Sequence, residues 1–167
     1  MPGAWVGRSV LVTGGNGFLG SHVVARLLDE GARVTCLIKE DLPLSPFHRD
    51  NLASRVRCVS GIVEDVLLVR EVLRESEADT LFHLAAQPIV GDARTEPLQT
   101  MESNVRGTYA VLEAARKWGG LRAIVVASSD KVYGEAVRLP YVEDARLSGI
   151  DIYDASKVCT DVLAQAY

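Results

Sequence analysis

The sequence predicts a doubly wound α/β fold, a single parallel sheet with helices on both faces and strands in the order 3-2-1-4-5. Three observations predict it. Five short apolar runs alternate with segments of helical periodicity along the 167 residues. The first run ends in a glycine-rich turn that opens directly into a helix. The glycine turn, HLAAQ and SSDK each fall at the carboxyl end of a run, and in such a sheet those ends share one edge.

Taken in order, Arg8–Thr13 (RSVLVT) reads as the first buried strand, and Phe18–Asp29 as a helix on the stripe Leu19, Val23, Val24, Leu27 and Leu28. Gly31 stops that helix, as a glycine just past a C-terminus does. Arg33–Ile38 is the second strand, and Asp41–Asn51, with Pro43 and Pro46, reads as an irregular loop. Arg55–Ser60 is the third strand, Val66–Glu75 the second helix and Thr80–Ala85 the fourth strand. Pro88–Pro97 reads as a polar loop, and Thr100–Trp118 as a long helix closed by Gly119 and Gly120. Leu121–Ala127 is the fifth strand, Asp130–Ile150 is mostly loop, and Tyr153–Tyr167 is the last helix. The ligand edge is then set by Thr13, Ile38, Gly61, Ala85 and Ala127.

Composition bounds the function. The length suits one domain, residues 1–167, and 48% apolar with 24% charged residues suits a globular chain. A net charge of -4 argues against nucleic acid or an anionic membrane as partner. No apolar run approaches the ~20 residues of a membrane span. The N-terminus lacks the basic-then-apolar pattern of a secretory leader. Cys36, Cys58 and Cys159 read as reduced, buried thiols of a cytoplasmic protein, and the scattered His22, His48 and His83 predict no metal site.

The glycine turn fits two registers, Gly14-x-x-Gly17-x-x-Gly20 and Gly15-x-Gly17-x-x-Gly20. Either way a strand ends, the chain turns and a helix begins, which is the context a dinucleotide-binding (Rossmann) loop requires. A side chain at Gly17 would block the pyrophosphate, and the helix N-terminus offers unpaired N–H groups to an anion. Gly14, Asn16, Gly17, Phe18 and Leu19 are therefore candidate cofactor contacts. The ribose is expected at the end of the second strand, where the chain reads Ile38-Lys39-Glu40-Asp41. Glu40 would favour NAD, and Lys39 would pair the extra phosphate of NADP; both stay open. His83-Leu84-Ala85-Ala86-Gln87 ends the fourth strand with small residues that let a cofactor lie against the backbone, His83 itself reading as a core histidine.

Tyr153 and Lys157 stand at i and i+4 of the last helix and so share a face. A neighbouring ammonium favours a phenolate, which equips the pair to take a proton from a carbinol as hydride leaves the same carbon. Ser128-Ser129-Asp130-Lys131 follows the fifth strand at the same edge. A hydroxyl there reaches the reacting oxygen, and Asp130 and Lys131 add an acid–base pair.

With TGGNGFLG, HLAAQ, the helix stretch Asn104-Val105-Arg106-Gly107-Thr108, SSDKVYG and YDASK, the chain resembles the N-terminal half of extended short-chain dehydrogenases/reductases of the NAD-dependent epimerase/dehydratase family. LAAQPIV followed by SSDKVYG is most similar to nucleotide-sugar 4,6-dehydratases of the CDP-glucose type. The resemblance implies NAD, with NADP possible, and a nucleotide-diphosphate hexose as substrate. It implies cofactor contacts at Gly14, Asn16, Gly17, Phe18, Leu19, Lys39, Ile62, Leu84, Ala85, Ala86, Gln87, Asn104, Tyr153 and Lys157. In the implied reaction Tyr153 is the base at the C4 hydroxyl, Lys157 holds the ribose, and Ser129 bonds the same oxygen. Asp130 protonates the leaving C6 hydroxyl and Lys131 sits near the C5 proton. A 4-epimerase or reductase of the same family, and a non-catalytic dinucleotide-binding module, are the alternatives.

The chain departs from the family in three places. Ile38 stands where the family carries aspartate, Gly61-Ile62 lacks the aspartate that meets adenine, and family members run to about twice this length. The chain is thus expected to lack the C-terminal substrate domain and to leave its fifth strand at an open edge. A homodimer through the helices at 100–118 and 153–167 is also implied, with Val111, Leu112 and Leu163 expected on the exposed face.

Overall fold

In a computed structural model that describes residues 3–135 and 139–167, five parallel strands lie in the order β3-β2-β1-β4-β5. They are β1 (Ser9–Thr13), β2 (Arg33–Ile38), β3 (Arg57–Ser60), β4 (Thr80–His83) and β5 (Ala123–Val126). Strand β1 is buried along its whole length, because both faces of a central parallel strand are covered. Its alternation splits the core. Val10 and Val12 face helix α1 (Phe18–Asp29), while Leu11 faces α3 (Val66–Ser76) and α6 (Gly107–Trp118). Asp65 caps α3 by accepting from the Leu67 and Leu68 N–H groups at 3.0 Å each.

Two stretches expected as loops contain helix. Within Asp41–Asn51 lies α2 (Pro46–Arg49), followed by a 3-10 turn at Leu52–Arg55, and Phe47 and Leu52 are buried against the α1 face of the sheet. Arg55 therefore closes that turn, and β3 begins at Arg57. Between Pro88 and Pro97 runs α4 (Val90–Thr95), with Ala93 buried. The long helix starts earlier than expected, at Pro97, a residue suited to a first helical position. It comprises α5 (Pro97–Met101), a π-turn at Glu102–Arg106 and then α6. The last helix, α7, spans Ile152–Ala166.

Cys36 is buried, but Cys58 and Cys159 are exposed, against expectation. Cys58 lies on the outermost strand, and Cys159 is turned away from the buried side of α7 marked by Ser156, Lys157 and Thr160. Val111 and Leu112 are likewise buried in the chain's own core rather than exposed, and the apolar side chains open to solvent on those helices include Tyr109 and Val162. Among the described residues β5 pairs only with β4, and Ile124 and Val125 are 41% and 44% exposed. A groove of about 460 Å³ beside β5 is lined by Leu112, Leu121, Ile124, Val126, Ala164 and Tyr167 among others. Among the described residues no helix is long and apolar enough to cross a membrane, and no cluster of His, Cys, Asp or Glu could hold a metal ion.

Candidate functional site

The glycine turn joins β1 to α1 at the carboxyl edge. Gly14 is left-handed (φ +70°), and a Cβ there would meet the Ala85 backbone at 2.8 Å. A Cβ on Gly20 would stand 2.1 Å from Gly14 O, so Gly20 lets α1 start directly against the turn. Gly17 differs: a Cβ would meet only Gly14 O, at 3.3 Å, a far milder contact than at Gly14 or Gly20. The N-terminus of α1 has no side-chain cap and no acidic residue in its first turn, which leaves its N–H groups for an anion. Asn16 is buried, and its Nδ2 donates to Glu40 O at 2.8 Å, stapling the turn to the end of β2. Phe18, Leu19, Lys39 and Glu40 are exposed along this rim, while Asp41 accepts from His48.

A buried chain of polar groups runs behind the ends of β1 and β4. Thr108 Oγ1 gives its hydrogen to Asn104 O, so it accepts from His83 Nε2 at 3.2 Å. His83 Nδ1 then accepts from Thr13 Oγ1 at 2.8 Å, and Thr13 Oγ1 in turn accepts from Ala85 N at 3.3 Å. Burial, helped by the Lys157 ammonium, lowers His83 to about 4, so the ring is neutral, as a core histidine should be.

Asn104, in the π-turn, joins the cofactor rim to α7. Its Oδ1 accepts from Gln87 N, and its Nδ2 donates to Gln87 O and to Ser156 Oγ. Its carbonyl also accepts from Thr160 Oγ1 at 3.1 Å. Ser156 and Thr160 flank Lys157 on the buried face, and neither was foreseen. The available signal was two small hydroxyl residues at i and i+4, on the face a helix turns inward. Lys157 is itself buried; its Nζ donates to Ala127 O, and desolvation lowers its pKa, against a smaller opposing effect of Asp161. Tyr153, one turn earlier, is half-buried at the N-terminal end of α7.

Beyond β5, Ser129 caps a 3-10 turn at Asp130–Tyr133, its Oγ accepting from Lys131 N at 3.2 Å. Asp130 and Lys131 are exposed on this turn. Gly149 brings the turn against α7, since a Cβ there would stand 2.8 Å from Lys131 O and 2.7 Å from Asp154 Cβ. Ser148 and Gly149 both donate to Val132 O, tying down the segment. Asp154 is raised, by burial first and then by Asp151, with Lys131 and Arg94 opposing.

These residues fit a dinucleotide. A Cβ on Gly17 would meet a single protein atom, the helix N-terminus has no side-chain cap, and among the described residues the buried Gln87 Oε1 beside this edge has no partner. Residues 84–87 line the same edge between the glycine turn and α7, with Ala86 exposed.

Comparison with known proteins agrees with this geometry. The family profile described as GDP-mannose 4,6 dehydratase matches residues 11–167. A CDP-glucose 4,6-dehydratase of Salmonella typhimurium is 33% identical over 166 residues, covering 98% of this chain and 46% of that protein. A UDP-glucose 4-epimerase of Lactobacillus helveticus is 34% identical over 149 residues, covering 89% and 44%. The crystal structure of a dTDP-glucose 4,6-dehydratase double mutant from Streptomyces venezuelae, with NAD bound, superposes with a TM-score of 0.85 at 30% identity, covering 95% of this chain and 51% of that one. The chain spans about half the length of the curated relatives it matches.

Proposed function

The chain belongs to the GDP-mannose 4,6-dehydratase family, and from that membership we propose that it is the cofactor-binding half of an NAD-dependent nucleotide-sugar 4,6-dehydratase. The observation that carries the finer reading is the seating of the Ser129–Asp130–Lys131 turn against the Tyr153 helix through Gly149. On this reading the turn supplies the elimination acid and a candidate base at the edge where the helix of Tyr153 and Lys157 begins.

Bound NAD supplies a reversible hydride acceptor for C4 of the sugar and donor for C6. The chain's own residues do the rest. The turn Gly14–Gly20 and the N–H groups of α1 hold the pyrophosphate, with Phe18 and Leu19 on the rim and Leu84–Gln87 along the nicotinamide side. Lys157 holds the ribose, and its burial keeps its ammonium in one place. Tyr153 takes the C4 hydroxyl proton while Ser129 bonds the same oxygen. Once C4 is a ketone, C5 is acidified; the C5 proton passes to a base at Lys131 while Asp130 gives its proton to the C6 hydroxyl, which leaves as water, and C5 regains a proton when C6 takes the hydride. The product is a 4-keto-6-deoxy sugar with no net change of oxidation state.

A nucleotide hexose tritiated at C4 tests the reading. Tritium recovered at C6 of a 4-keto product supports the dehydratase; inversion at C4 without loss of water makes the protein a 4-epimerase, the reading favoured by the Lactobacillus relative. Cofactor binding with no turnover of any nucleotide hexose leaves a binding module. Within the same proposal the protein is cytoplasmic and pairs with a second copy through the helices at 100–118 and 153–167, Tyr109 and Val162 supplying exposed apolar contacts. A monomer in sedimentation equilibrium overturns the pairing.

A further inference from the structure

Gly149 sits in the seam between the turn that carries Asp130 and Lys131 and the helix that carries Tyr153. A Cβ at that position would stand 2.8 Å from Lys131 O on one side, and 2.7 Å and 3.1 Å from Asp154 Cβ and C on the other. None of these atoms can swing aside as the end of a long side chain would. Hydrogen bonds clasp the same seam. Ser148 N and Gly149 N donate to Val132 O at 2.9 Å and 3.2 Å, and Ser148 Oγ donates to Tyr133 O at 2.6 Å. The Asp154 carboxyl, raised chiefly by burial, also feels Lys131 and Asp130 from across the seam.

The two sides of the seam are not equally free to yield. Helix α7 is fixed from behind, because Ser156 and Thr160 are buried and bonded to Asn104, and the buried Lys157 holds Ala127 O. The turn rests on the buried Val132, with Asp130 and Lys131 exposed to solvent. A side chain at residue 149 would therefore displace the turn and leave Tyr153 and Lys157 where they are. Restoring an ordinary contact of ~3.5 Å moves Lys131 by several tenths of an ångström, and misplacement on the order of 1 Å can cost about 100-fold in rate.

We propose that Gly149 is a positioning residue: it sets the spacing between Tyr153 and the turn of Asp130 and Lys131, and so couples loss of water to oxidation at C4. The assignment rests on the dehydratase reading above. Tyr153 and Lys157 act at C4 from α7, whereas Asp130 and Lys131 act at C6 and C5 from the turn. With the turn displaced, Tyr153 still takes the C4 hydroxyl proton as the C4 hydride leaves to the cofactor. The C5 proton and the C6 hydroxyl then stay in place, so the hydride can return only to C4. The reaction stalls at a 4-keto hexose with the cofactor reduced.

The test compares wild type, Gly149→Ala and Ile150→Ala, the last a change at a neighbour that is 93% exposed. The 167-residue chain is titrated with NADH, followed by amide hydrogen exchange, and assayed with NAD and CDP-, UDP-, GDP- and dTDP-glucose. Gly149→Ala should bind NADH within about 2-fold of wild type and exchange the Val132 and Ser148 amides about 10-fold faster or more. It should form the 4-keto-6-deoxy product about 10- to 100-fold more slowly, while NADH fluorescence builds up above the wild-type level. Ile150→Ala should match wild type throughout. Product lost without a build-up of NADH, or together with NADH binding, makes Gly149 a structural residue and overturns the proposal, as does unchanged turnover. Wild type that makes no 4-keto-6-deoxy product from any of the four sugars overturns the dehydratase reading and this proposal with it, an outcome distinct from an active wild type matched by an equally active Gly149→Ala.

Discussion

Asn104 and Gln87 hold each other by hydrogen bonds in both directions: the Gln87 N–H donates to Asn104 Oδ1 at 2.7 Å, and Asn104 Nδ2 donates to Gln87 O at 3.1 Å. The same nitrogen donates to Ser156 Oγ at 2.9 Å, so one side chain joins the cofactor rim to the helix of Tyr153 and Lys157. Asn104→Ala would strand the Gln87 backbone in a partly buried place. We expect a loss of about 2–4 kcal/mol in urea unfolding. Asn104→Asp should recover part of it, since Oδ1 still accepts from Gln87. Equal stability of all three chains would show that the contact does not hold the rim.

His83 makes stability depend on pH with a definite sign. Its folded value of about 4 lies below the free value of 6.5, so the unfolded chain takes up the proton first as pH falls. The contribution is fully present above about pH 6.5 and is lost on the way down to about pH 4, on the order of 3 kcal/mol in all. Unfolding measured at pH 7 and pH 4.5 should show that drop in wild type and a shallower one in His83→Gln. An unchanged slope in the variant would assign the acid sensitivity to other groups.

Gly17 and Gly20 should separate binding from folding. A methyl group on Gly17 would press only lightly on Gly14 O, at 3.3 Å, so Gly17→Ala should cost no more than about 1 kcal/mol of stability. The methyl enters the space assigned to the pyrophosphate, and NADH affinity should fall about 10-fold or more. Gly20→Ala drives a Cβ into Gly14 O and should cost about 2 kcal/mol or more before any ligand is added. The reverse ranking in thermal unfolding would contradict the role given to each glycine.

The thiols should react in order of exposure. Burial pushes Cys36 up to about 12 and raises Cys58, which is nonetheless exposed. With an aromatic disulfide reagent at neutral pH, Cys159 should react first and Cys58 more slowly, with Cys36 reacting only on unfolding. Modification of Cys36 in the folded chain would mean that the α1 face of the sheet opens readily.

Much of this arrangement was legible in the residues. RSVLVT and RVTCLI could be nothing but strands buried on both faces, and the glycine turn between the first strand and its helix fixed where the ligand edge lies. The sheet order followed from right-handed crossovers together with the doubly wound arrangement expected of a strand–glycine turn–helix start. The short helices escaped because four to six residues, as in α2 and α4, show no helical period, and their prolines read equally well as loop signals. Val111 and Leu112 were expected on an exposed pairing face, but an apolar residue on a covering helix serves the chain's own core equally well, and that is where both lie. The contact of Ser103 with Glu64 was equally invisible, since it depends on how the π-turn packs against the end of β3.

The open side of β5 has a practical consequence for anyone handling the chain. Isoleucine and valine at successive positions of an outermost strand face opposite sides of the sheet, so neither side repels a flat, sticky neighbour. Such a strand behaves as a template on which other polypeptides can crystallise their own backbone bonds, and natural edges usually carry a lysine or a proline as a gatekeeper. For the 167-residue chain handled by itself, Val125→Lys is expected to lower self-association through Ala123–Val126, which light scattering against concentration would show.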